Sequence, residues 1–225
     1  MRAHGSLRLT LGTGIASQYG SSFDTFGFRL ALHDLTDPPA GEMELLQVQF
    51  LDTQFRYDLG ERSFTLNRLT FAELVALNPL TRYEAALSWR GRGFGMRLHD
   101  RGCADCFAHG LEVGLGATFA TDDEHFSIFA MADAYVAFSP SLDGIHGRFV
   151  RVGVGPYAGL RARLPGHTLA LLTANWSYLP AQDLLGTYDV RATLRSALSN
   201  EVAVGFEAVL QPSSSEAQLA SYFYF

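Results

Sequence analysis

Apolar and polar residues alternate along most of this chain, and clusters of Gly, Pro, Asp and Ser interrupt the alternation at short intervals. A period of two is the mark of a β-strand with two different faces, because successive side chains point to opposite sides. The interruptions predict twelve strands, at 6–14, 23–33, 45–57, 61–72, 83–97, 110–121, 125–139, 147–163, 167–179, 188–198, 200–210 and 216–225. The last of them, Leu219-Ala220-Ser221-Tyr222-Phe223-Tyr224-Phe225, ends on an aromatic residue, as a barrel's closing strand does. Helical periodicity is confined to Phe71–Leu77, a candidate turn of helix.

Each strand gives two lists. In 147–163 one reads Val150, Val152, Val154, Pro156, Ala158, Leu160, and the other Arg151, Gly153, Gly155, Tyr157, Gly159, Arg161, Arg163. In 200–210 the apolar list is Val202, Val204, Phe206, Ala208, Leu210, against Ala203, Gly205, Glu207. A soluble barrel turns its apolar face inward, and a membrane barrel turns it outward.

Three features favour the membrane arrangement. Glycines 114, 116, 153, 155, 159 and 205 sit on the polar face, where small residues suit a crowded lumen and a solvated exterior would only weaken the strand. Aromatics mark the ends of apolar lists, as Phe126 with Phe138, Phe119, Trp176 with Tyr178, and Phe225, in the manner of interfacial girdles. The strands also exceed the usual soluble length of about five or six residues. The fold class expected is all-β: an antiparallel up-and-down transmembrane β-barrel of about twelve strands forming one domain over 1–225 in the bacterial outer membrane, with membrane lipid as its outer partner.

Composition narrows this further. Apolar residues make up 48% of the 225, yet no run approaches the roughly 20 apolar residues of a membrane helix. A net charge of −6 excludes nucleic acid as a natural partner. The opening Met1-Arg2 leads into a strand pattern rather than a signal peptide, so the expectation is an export signal removed or placed upstream in a longer parent chain. Even-to-odd connections such as Pro165-Gly166 and Ser199-Asn200 are short and fit periplasmic turns. Those near 34–44 and 73–82 are long and fit small periplasmic caps.

On the inverted arrangement the polar lists line the lumen. They carry Arg8, Arg29, Arg90, Arg92, Arg151, Arg161, Arg163, Arg191 and Arg195, with Glu84, Glu112, Asp133, Asp189 and Glu207. Nine cations against five anions make the interior positive and place the excess acid in loops and turns. The plainer reading is an arginine–carboxylate network that braces the wall. The sharper one is an anion-selective passage or a pocket for an acidic ligand.

Other candidate chemistry is sparse. Cys103-Ala104-Asp105-Cys106, with His99, Asp100 and His109 nearby, falls in the predicted connection between the fifth and sixth strands. A local disulfide is favoured over a metal site or free thiols, because a second CxxC is missing and an oxidising envelope suits a bridge. His33-Asp34 followed by Pro38-Pro39-Ala40-Gly41 reads as a rigid turn rather than an acid–base pair. The sequence contains no nucleophile elbow, P-loop or dinucleotide fingerprint, and no catalytic residue, metal or cofactor is assigned.

Several stretches carry a resemblance. They are His4-Gly5-Ser6, His33-Asp34-Leu35 with Asp37-Pro38-Pro39-Ala40-Gly41, Gln49-Phe50-Leu51-Asp52, Arg56-Tyr57, Leu87-Ser88-Trp89-Arg90 and Cys103-x-x-Cys106. Together they resemble the C-terminal region of an uncharacterised bacterial family of envelope proteins. The N-terminal domain of that family is similar to the periplasmic, cysteine-peptidase-like domain of Lnb, the lipoprotein N-acyl transferase. The resemblance implies a barrel that anchors a covalently linked periplasmic domain, and it assigns no catalytic cysteine or histidine to this chain. The alternatives are a small-anion channel and an enzyme that modifies outer-membrane lipid or lipoprotein.

Overall fold

The structure, a computed structural model, describes residues 7–17, 21–36, 45–81, 85–100, 103–121, 125–142, 149–179 and 186–225; the side chains of 21, 31–33, 99–100 and 103–105 are outside the description. Among these residues the chain forms twelve strands: β1 (Leu7–Ala16), β2 (Ser21–His33), β3 (Leu46–Asp58), β4 (Ser63–Ala76), β5 (Ser88–Asp100), β6 (Cys103–Ala120), β7 (Phe126–Phe138), β8 (Val150–Leu164), β9 (Thr168–Ser177), β10 (Thr187–Ala197), β11 (Val202–Leu210) and β12 (Ser215–Tyr224). Each pairs antiparallel with its sequence neighbours, and β1 pairs with β12 to close the barrel. The seam is complete to the last residue, where Leu7 and Phe225 exchange backbone hydrogen bonds of 3.3 and 2.9 Å. Closure removes the exposed edges that would strand backbone polar groups in lipid. No helix of the structure is long and apolar enough to cross a membrane.

The faces are inverted as expected. Phe26, Leu111, Val113, Leu115, Ile128, Leu172, Val204, Phe206 and Leu219 project outward, while Arg8, Arg29, Arg90, Arg151, Arg161 and Glu112 are buried inside. The aromatic positions Phe119, Phe126, Phe138, Trp176, Tyr178 and Phe225 are all exposed on the outer wall. Gly116 and Gly155 lie where strands crowd: a Cβ would come within 2.0 Å of the Ala130 carbonyl oxygen and 1.8 Å of the Trp176 carbonyl oxygen, respectively. Pro156, which has no N–H to donate, lies at a gap in the β8–β9 ladder. Regular pairing stops at Tyr157↔Asn175 and recurs as a single bridge between Val154 and Tyr178.

Four sequence expectations change. Phe71–Leu77 is not helical: through Ala76 it belongs to β4, held in ladders on both sides, and Phe71 is the extra residue of a bulge against β5. The fifth strand begins at Ser88, so Glu84 precedes it and lies outside the described residues. Cys103 and Cys106 are in β6 rather than a connection, because β5 and β6 extend as a hairpin to Asp100↔Cys103. Loop length does not sort by side, since the odd-to-even connections 17–20, 59–62, 101–102 and 211–214 are as short as the even-to-odd turns.

One end of the barrel holds the start of β1 and the end of β12. There the lumen is filled by an apolar cluster of Leu35, Leu45, Val75, Leu77, Phe129 and Met131, with Tyr157 and Leu171 packed against it. On the β5–β6 side the segment after β4 folds over the same end. Leu80 N–H donates to the Thr118 carbonyl at 2.8 Å, and Asn78 N–H to Ser88 Oγ at 3.0 Å.

Candidate functional site

Buried guanidinium and carboxylate groups organise the lumen in tiers. The lowest, just above the apolar cluster, centres on Asp34. The chain leaves β2, turns through Asp34-Leu35-Thr36 and carries all three inside the barrel wall. Arg8 and Arg195 donate to Asp34 Oδ2 at 3.0 and 3.1 Å, and Arg29 donates to the same oxygen. The other oxygen, Oδ1, accepts from Thr36 N–H at 3.1 Å and Thr36 Oγ1 at 3.2 Å. Burial opposes ionisation of Asp34, but Arg29, Arg195 and Arg8 outweigh it and hold the carboxyl well below the usual aspartate range. Tyr222 backs the arrangement, with Arg195 Cζ 4.2 Å and Arg8 Cζ 5.1 Å from its ring centre. Arg161 fixes the turn, its Nε donating to the Leu35 carbonyl at 2.9 Å.

The middle tier joins β5, β6, β7 and β9. Glu112 takes Arg90 at 2.7 Å and Arg92 at 2.5 Å, and Asp133 takes Arg90 at 3.2 Å. Asn175 Nδ2 donates to Glu112 at 3.0 Å and Asp133 at 3.4 Å, tying the two carboxylates to the opposite wall of the cluster. Arg90 lies 3.9 Å over the Tyr157 ring. On the other side, Glu207 takes Arg191 at 3.1 Å and Arg68 at 4.0 Å, Arg68 also faces Asp52 at 3.6 Å, and Gln211 donates to Asp189 at 2.9 Å. Arg56 occupies the far end. It pairs with Glu216 and with Asp58 (3.5 Å), and its guanidinium stacks 4.0 Å over Phe23.

Between the tiers runs a cavity of about 250 Å³, and a smaller one of about 50 Å³ adjoins it near Arg68 and Glu207. Arg8, Arg29, Arg90, Arg92, Arg151, Arg191 and Arg195 line the large cavity, as do Glu112, Asp189 and Glu207, all expected from sequence. Arg161, Arg163 and Asp133 belong to the same inner face but do not line it. The alternation argument missed Asp34, Asp52, Arg68 and Glu73, which bring the lining to eight arginines and six carboxylates. The balance stays positive, and part of the acid assigned to loops is in the lumen. For Asp52 the missing signal is the bulge at Leu51, which has a φ of 49° and exchanges the faces of β3 between Gln49 and Asp52.

Cys106 is buried on the inner side of β6 and is not a free thiol, while the Cys103 side chain lies outside the described residues. Among the described residues no three or more His, Cys, Asp and Glu side chains gather as a metal site.

Comparisons with solved structures agree with this architecture. The chain superposes on the NanC porin with a TM-score of 0.57 at 8% identity, covering 96% of this chain and 100% of the porin. The KdgM porin, solved in complex with disordered oligogalacturonate, gives 0.52 at 7% identity over 97% and 99% of the two chains. The COG4313 outer-membrane channel from Pseudomonas putida F1 gives 0.52 at 13% over 100% and 97%. At these identities the likeness is one of fold. No curated protein matches the chain by sequence.

A closed antiparallel barrel with an apolar outer wall and a buried ionic interior is an outer-membrane β-barrel. Within that class the chain belongs to the family described as a domain of unknown function, DUF7840, whose model matches residues 1–224.

Proposed function

We propose that this barrel is a membrane anchor and scaffold, held in outer-membrane lipid and presenting a covalently linked, Lnb-like periplasmic domain at the end where β1 begins and β12 finishes. The observation that carries this reading is the filled lumen at that end. Asp34 in its arginine clamp, the Leu35 carbonyl on Arg161 and the apolar cluster around Phe129 and Met131 form an internal brace. A brace of this kind suits a rigid support more than a passage, because its buried side chains occupy the lumen that a solute would have to cross.

The test is fractionation of the parent protein in cells. With the barrel present, the periplasmic domain sediments with the outer membrane, and with the barrel excised it is released on osmotic shock. A domain that stays membrane-bound without the barrel would contradict the anchor role.

A second reading, a small-anion channel, is favoured by the excess of arginine lining the cavity. Planar-bilayer recording separates the two. The anchor reading expects a folded and electrically silent barrel, and the channel reading expects steady anion-selective current.

A further inference from the structure

β5 runs against the pattern of the other strands. Its outer positions are Trp89, Gly91 and Gly93, and its inner positions after Arg90 and Arg92 are Phe94, Met96 and Leu98. A Cβ on Gly91 would meet nothing within 4 Å, so past Trp89 the outer positions Gly91 and Gly93 give the lipid no side chain. The large apolar groups that an inverted barrel normally turns outward are turned into the lumen here. Phe94, with Cys106, Ala108, Ala137 and Leu142, forms a buried apolar cluster, and Met96, Leu98 and Tyr135 are packed against it. Phe94, Met96, Leu98 and Tyr135 all line the large cavity.

The cavity is therefore two-sided. One wall is apolar, and its deeper edge is ionic: Arg92 lies 5.0 Å over the Phe94 ring, while Arg191 lines the same cavity from β10. Both guanidinium side chains keep accessible surface, 22% for Arg92 and 27% for Arg191, despite their carboxylate partners. Apolar surface facing a wet lumen is unfavourable until an apolar body covers it, and the partly exposed guanidinium groups of Arg92 and Arg191 beside it can donate to a negative head. About 250 Å³ is just below the ~300–1,000 Å³ of drug-sized ligand sites, which limits the occupant to a small molecule.

We infer that the lumen binds a small amphipathic carboxylate, a medium-chain acyl acid. Its chain lies along Phe94, Met96 and Leu98, and its head points toward Arg92 and Arg191. The site goes beyond the anchor role and does not depend on it, because a ligand held against the inner wall requires no linked domain.

The test uses the full chain in lipid nanodiscs with a diazirine-bearing decanoate as the probe, followed by irradiation and peptide mapping. The expected adducts fall on Met96, Leu98 or Tyr135, and unlabelled decanoate competes. Decanol competes at least ~10-fold less well, the order of one lost charge-assisted contact. Met96→Trp, which fills the cavity, removes the inner-wall adducts while outer-wall labelling at Val113 and Leu115 persists. Arg92→Gln narrows the gap between decanoate and decanol. Adducts on the outer wall alone would overturn the inference, as would equal competition by decanol or inner-wall labelling that survives Met96→Trp in a folded barrel.

Discussion

Arg195 on β10 donates to Asp34 across 161 residues of sequence, at 3.1 Å, and makes the turn after β2 part of the opposite wall. With Arg8 and Arg29 on the same carboxylate oxygen, one acidic side chain joins β1 and β2 to β10. Asp34→Asn removes the charge and keeps the shape. The three guanidinium groups then lose the carboxylate they share, which costs about 3–5 kcal/mol by analogy with other broken buried pairs. The expected outcome is a clearly lower urea midpoint for the variant in detergent or nanodiscs. An unchanged midpoint would mean that the clamp contributes nothing.

The same contact sets a pH dependence. Asp34 lies outside the strands, and its folded-state carboxyl is held below the usual aspartate range, so it binds its proton less readily folded than unfolded. A depressed folded pKa contributes stability that is fully present above the unfolded value, about 3.9, and is lost as pH falls toward the folded one. Unfolding midpoints should therefore decline from about pH 4 downward. The component due to Asp34 should vanish in Asp34→Asn, seen as a shallower acid slope when the two proteins are titrated side by side.

Gly116 and Gly91 lie on opposite faces of the wall. Gly116→Ala would place a methyl group 2.0 Å from the Ala130 carbonyl oxygen, so the β6–β7 ladder must open. The cost is at least about 1–3 kcal/mol, the range for overpacking. Gly91→Ala meets open space and should leave stability unchanged or slightly higher. Heat-modifiable migration on gels, scored across a temperature series, checks both. Equal behaviour of the two variants would contradict the assigned faces of β5 and β6.

Much of this was legible in the sequence because a period of two survives where strands are regular. On β11, Ala203 is buried and Val204 and Phe206 project outward, as their alternation requires. Bulges end that legibility. Past Leu51 the inner positions of β3 change from Gln47 and Gln49 to Asp52 and Gln54, so Asp52 was out of reach of simple counting, as was its partner Arg68, which follows a register shift at Asn67 of β4. Asp34 was hidden differently. The turn read at Pro38-Pro39-Ala40-Gly41 lies outside the described residues, and nothing local says that Asp34 just before it points inward to meet arginines from three strands. The cysteines were misplaced because β5 and β6 extend further than the apolar pattern does.

The outer wall makes its own prediction. Val113 is 60% exposed near the middle of β6, on the face assigned to lipid. Arginine at a barrel's lipid-facing midplane costs about 2–4 kcal/mol and little near the interfaces. Val113→Arg should lower stability by that order in bilayers, and Phe119→Arg, at the end of the same strand, should lower it less. Folding titrations into vesicles measure the difference, and a reversed order would contradict the membrane placement.

The most direct test of the inverted barrel needs no substitution. The chain has two tryptophans, Trp89 at the start of β5 and Trp176 near the end of β9, and both face outward at opposite ends of the wall. Their fluorescence should be strongly quenched by lipids brominated on the acyl chains, more by shallow than by deep bromines, and weakly by aqueous acrylamide. Strong quenching by acrylamide with no response to brominated lipid would put the apolar wall in water and contradict the account.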